Sequence, residues 1–105
     1  MKLGEKQEKF SRMIVLLMMH IHASGYGIRG GHWYRCSNCY VGSKNSNHKL
    51  KLAFDINLAK DGIYLDNEEA EEAHSGFHDF WDSIGGSKRI EGDLNHYSLE
   101  HHGHR

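Results

Sequence analysis

Two short segments of this chain carry side chains able to hold a metal ion. One runs from Ser46-Asn47-His48 to Ala53-Phe54-Asp55, and the other is Asp93-Leu94-Asn95-His96-Tyr97-Ser98. His48, Asp55 and His96 offer two imidazole nitrogens and a carboxylate oxygen, all of which zinc accepts. Three such ligands leave one of four positions open, the coordination of a catalytic zinc rather than a structural one. Asp93, three residues before His96, is placed to take a proton from water and later to protonate a leaving amine. Arg35 is the candidate for a positive group facing the oxyanion that develops on a peptide carbonyl. These residue types point to a metallohydrolase.

The elements that must position these residues follow from periodicity. Residues 5–24 carry Phe10, Ile14, Leu17 and Ile21 at helical spacing, and Gly25 suits a helix stop. Residues 26–34 read as a strand loosened by Gly27, Gly30 and Gly31, and residues 37–47 as a polar loop. Residues 50–57 alternate as a strand. Leu50, Leu52, Phe54 and Ile56 share one face, while Lys51, Ala53, Asp55 and Asn57 share the other. Asp55 can therefore point into a cleft while the apolar face packs on helices. His48 lies an odd seven residues before Asp55, so it belongs on a loop or bulge entering the strand. Asp61-Gly62 is a hairpin turn, with Ile63-Tyr64-Leu65 as the returning strand.

Asp66 with Glu69 resembles a capping box, which starts a second helix running to about Ile84. That helix is expected to bury Phe77, Phe80, Trp81 and Ile84 and to stop at Gly85-Gly86. His74 and His78, four residues apart, read as its exposed face. A last strand over about residues 95–100 brings His96 to the site. The expected fold is α+β: a small antiparallel sheet with two main helices and a zinc site in a cleft on the sheet. Residues 1–105 form a single domain, since no repeat or linker divides them and the length suits one modest core.

A formal charge of -1 argues against a general nucleic-acid binder, which usually carries a basic excess or stripe. The longest apolar run, Met13 to Met19, is 7 residues, against the roughly 20 needed to span a bilayer, so no membrane partner is expected. Glu5 and Glu8 occupy what would be the basic region of a signal peptide, and His20 and His22 interrupt its apolar part. His101, His102 and His104 read as a solvated tail. Cys36 and Cys39 form a single Cys-x-x-Cys, open to three readings: reduced loop thiols, a local disulfide or a second metal.

Taken together, Ser46-x-His48-x4-Ala53-x-Asp55 and Asp93-x-x-His96-Tyr97-Ser98 resemble the two zinc motifs of the D-alanyl-D-alanine carboxypeptidase/dipeptidase family. The resemblance is closest to its phage endolysin branch, the L-alanyl-D-glutamate peptidases. Tyr34-Arg35 is similar to the segment carrying that family's transition-state arginine, and the likeness extends over nearly the whole chain. Lys51 stands where many members have glycine, and Asp93 replaces the glutamate of the dipeptidase branch, as in the lysins. The resemblance implies Zn2+ on His48, Asp55 and His96, Asp93 as the base and Arg35 at the oxyanion. It implies the stem peptide of bacterial peptidoglycan as substrate. It also implies a monomer held in the host bacterial cytoplasm before lysis and then acting on the cell wall. Two other functions fit the same motifs: a D-alanyl-D-alanine dipeptidase or carboxypeptidase, and a non-catalytic zinc module that recognises wall peptide.

Overall fold

The computed structural model describes residues 2–30, 52–66 and 68–100. Helix α1, Leu3–Ala23, buries Phe10, Met13, Ile14, Leu17 and Ile21 along one stripe. It ends as its glycine signal predicts. The Tyr26 amide reaches back to the Ile21 carbonyl at 3.3 Å and the Gly25 amide to His22 at 3.0 Å. This paired closure satisfies carbonyls that a helix end would otherwise leave open. Strand β1, Gly27–Gly30, follows at once.

The central strand β2, Ala53–Lys60, sits three residues later than the alternation alone places it. Asp61 and Gly62 then turn the chain with φ of 54° and 79°. Two consecutive left-handed residues make the two-residue hairpin turn whose twist matches that of its strands. The turn delivers β3, Ile63–Leu65. Helix α2 covers Glu68–Ser83, with Glu68, Glu69 and Glu71 in its first turn, where the helix dipole favours negative charge. Strand β4, His96–Ser98, closes the described chain.

All pairings are antiparallel. Within the described residues β2 is the hub: β1 pairs along residues 56–59, β3 along 58–60 and β4 along 53–55. With two helices against this small antiparallel sheet, the fold is α+β. The core joins Phe10, Leu17 and Ile21 of α1 to Ile56 and Leu58 of β2, Phe77 and Trp81 of α2, and Tyr97 of β4. Phe80 and Ile84, expected in that core, are only partly buried at its edge, where Phe80 stacks on His20 at 4.3 Å. No helix among the described residues is long and apolar enough to cross a membrane.

Candidate metal centre

The register of β2 with β4 sets Asp55 directly opposite His96. Residues paired this way share a face, so their side chains meet without a long reach. The His96 Nδ1–H donates to Asp55 Oδ1 at 3.1 Å, with His96 7% and Asp55 15% exposed. The next position along the same face of β2 is Asn57, whose Oδ1 accepts a bond of 3.1 Å from Asn95 Nδ2. The opposite faces carry Ile56, Leu58 and Tyr97 into the core. Strand parity thus separates a polar face, with Asp55 and His96 adjacent, from an apolar face packed on the helices.

The pair is hydrogen-bonded as it stands, and its two groups are of types that zinc accepts. Tetrahedral zinc with bonds of about 2.0–2.2 Å spaces neighbouring ligand atoms roughly 3.3 Å apart. An imidazole nitrogen and a carboxylate oxygen at 3.1 Å already lie close to such an edge. A metal ion there would take the place of the proton they share. Among the described residues no cluster of three His, Cys, Asp or Glu side chains is gathered for a metal. His48, the expected third ligand, lies outside the described residues, as do Arg35, Cys36 and Cys39.

Asp93 is exposed in the turn that leads into β4. Its amide donates to the Ile90 carbonyl at 3.0 Å, and its carbonyl accepts from the His96 amide at 3.1 Å. The turn borders a cleft of about 350 Å³, lined by Asp93 and Asn95, by Asn57 of β2 and by Asp66, Glu71 and His74 from the α2 side. That volume lies at the lower end of ligand sites, about 300–1,000 Å³. The Asn57–Asn95 amide pair borders the cleft, two residues beyond Asp55 in β2 and one residue before His96, and neither Asp55 nor His96 lines it. Of the five expected site residues, the structure pairs Asp55 with His96, and it places Asp93 on the turn before β4, lining a cleft that does not include that pair.

His74 and His78 correct the sequence reading. Both are buried, at 5% and 0% exposure, rather than on the open face of α2. They belong to the stripe Ala70, His74, Phe77, His78 and Trp81, whose spacings of four, three, one and three are those of a core-facing helix side. Phe77 and Trp81 identify that face, with His78 between them and His74 three residues before Phe77. His74 Nδ1 is hydrogen-bonded to the Tyr97 hydroxyl at 2.7 Å, and the His78 Nε2–H donates to the Leu94 carbonyl at 2.7 Å. Burial, assisted by neighbouring His78, pushes the His74 pKa down to about 4. Burial likewise lowers that of His78, against the raising effect of its bond to Leu94. Both rings are therefore neutral at pH 7, and the Tyr97 hydroxyl, held high by burial, keeps its proton.

No protein-family model matches the chain, and no curated protein or solved structure matches it either.

Proposed function

We propose that this protein is a zinc-dependent peptidase of the peptidoglycan-hydrolase type, cutting the stem peptide as an endolysin-like L-alanyl-D-glutamate endopeptidase. The observation that carries the reading is the cross-strand pair of Asp55 and His96, their ligand atoms 3.1 Å apart. The turn bearing Asp93 leads directly into that pair. The resemblance of the two motifs supplies the substrate class and completes the ligand set with His48. When bound by His48, Asp55 and His96, zinc would supply Lewis acidity and lower the pKa of water toward neutral.

The chain's own groups do the rest. Asp93, exposed on the cleft, accepts the water's proton and returns it to the departing amine. Arg35 offers its guanidinium to the oxygen on which negative charge develops. Asn57 and Asn95 border the cleft with amide groups suited to the backbone of an extended peptide. In a phage setting the enzyme would wait in the host cytoplasm until lysis exposes the wall.

The test is mass spectrometry of purified muropeptides incubated with the protein, with and without a chelator. Chelator-sensitive cleavage between L-alanine and D-glutamate is the expected result. Release of D-alanine alone would move the activity to the carboxypeptidase branch. Intact muropeptides under all conditions, with zinc bound, would favour a non-catalytic wall-binding module.

A further inference from the structure

Helix α2 turns three polar side chains, spaced by four and then three residues, onto the segment that carries the candidate site. His74 bonds the Tyr97 hydroxyl at 2.7 Å, the His78 Nε2–H donates to the Leu94 carbonyl at 2.7 Å, and the Trp81 Nε1–H donates to the Ser98 carbonyl at 2.9 Å. The outer two hold β4 itself. His78 alone reaches the turn between Asp93 and His96.

The remaining backbone bonds of that turn run to other partners. Asp93 N–H goes to Ile90, His96 N–H to Asp93, and the Asn95 carbonyl accepts from the Ile56 amide at 2.8 Å. The Leu94 carbonyl is met by the His78 ring. That ring is fully buried and lies parallel to Tyr97, with centroids 4.2 Å apart and planes inclined by 12°. Its orientation is therefore fixed by stacking before the hydrogen bond is counted. Its Nδ1 has no partner among the described residues, so the bond to Leu94 is the one polar contact setting the ring's place.

We infer that His78 is a positioning residue, which fixes the turn from Asp93 to His96 and so holds the proton-transfer carboxylate at a set distance from the metal-ligating imidazole. The assignment of those two roles rests on the functional reading above. The geometric role, anchoring the turn to α2, stands on the contacts alone. The chemistry makes the demand reasonable, since a misplacement of about 1 Å in a reacting group can cost on the order of 100-fold in rate.

The experiment compares His78→Phe and His78→Gln with the full chain. Phenylalanine keeps the stack on Tyr97 but has no donor for Leu94, whereas glutamine carries an amide N–H where the imidazole Nε2–H stood. Amide hydrogen exchange and zinc affinity by chelator competition are read together. In H78F, exchange at Asp93 and His96 should quicken about 10-fold or more while Leu17 and Leu58 in the core keep their wild-type rates. Zinc affinity should fall about 10-fold, the low end of the effect of losing a group bonded to a ligand, since His78 reaches His96 only through the backbone of the turn. H78Q should recover both. Exchange that is unchanged at the turn, or equally faster at every amide, overturns the inference and leaves His78 a packing residue. So does a folded H78Q that behaves like H78F. If H78F does not fold, His78→Met, of similar bulk and also without a donor, takes its place. A wild-type chain that takes up no zinc would defeat the peptidase reading, while the exchange comparison still decides the role of His78.

Discussion

At the residue scale, the proposed function gives separate tasks to two carboxylates, Asp55 and Asp93, and to the imidazole of His96, while the His74 imidazole belongs to the core side of α2. Asp55 and His96 face each other across paired strands, where the proposed function has them hold zinc, whereas Asp93 is exposed on the neighbouring turn. Asp93→Ala should therefore bind zinc as the wild type does yet lose about 10²–10⁴-fold in turnover, the usual contribution of general acid–base catalysis. Parallel measurements of zinc content and hydrolysis check this, and near-normal turnover would place the base elsewhere. His74 yields a stability prediction. Its native pKa of about 4 lies below the ordinary 6.5, so the unfolded chain binds the proton first as pH falls. Its contribution is complete above pH 6.5 and is lost progressively down to about pH 4. Between pH 6.5 and 5 this one group should remove about 2 kcal/mol of stability. Urea denaturation at the two pH values measures the loss, and His74→Phe should flatten the profile by that amount.

At the element scale, two connections shape the sheet and the end of α2 beside β4. The Asp61-Gly62 turn sets the register of β3 on β2, with Leu58 opposite Leu65 and Lys60 opposite Ile63. Gly62 has φ of 79°, so Gly62→Ala should cost roughly 1–2 kcal/mol through the strain of a left-handed L-residue. The midpoint of thermal or urea unfolding reads this, with the fold otherwise retained. The end of α2 is more demanding. A Cβ on Gly86 would lie 1.9 Å from Trp81 Nε1, which donates to the Ser98 carbonyl beside the site. Gly86→Ala must displace the indole, and should cost more than Gly62→Ala while also loosening β4. A change at Gly86 no larger than at Gly62, with hydrogen exchange in β4 unaltered, would show that the indole can shift without consequence.

At the scale of the whole molecule, the apolar core and the polar site lie on opposite faces of the same strands. The core runs from Phe10 and Leu17 of α1 through Ile56 and Leu58 of β2 to Trp81 of α2, and Asp55 contributes nothing to it. On the proposed reading, folding should not depend on the metal, unlike that of a zinc finger, whose core is too small to fold without one. Chelation should abolish hydrolysis and lower the melting temperature while leaving the far-ultraviolet circular dichroism spectrum in place, because a ligand of the native state alone stabilises it by mass action. Collapse of the spectrum on chelation would mean that the metal is structural.

Much of this architecture is legible in the chain itself. The stripe Phe10, Ile14, Leu17 and Ile21 defines α1, the alternation around Phe54 and Ile56 defines β2, and Asp61-Gly62 defines the hairpin. These signals are local: periods of 3.6 and 2 and the φ demands of a turn act within a few residues. Parity likewise sets Asp55 on the face opposite Ile56. The core-facing side of α2 that carries His74 and His78 is legible from Phe77 and Trp81, whereas the partners of the two rings were decided by tertiary packing. A histidine carries no fixed preference for core or surface, and burial suits it once it is neutral and bonded, as Tyr97 and Leu94 allow here. The meeting of Asp55 with His96, 41 positions apart, depends on a strand register that no local signal encodes. Tyr97 goes into the core, so parity turns His96 to the polar face, and the pairing of β4 with β2 sets Asp55 opposite it there.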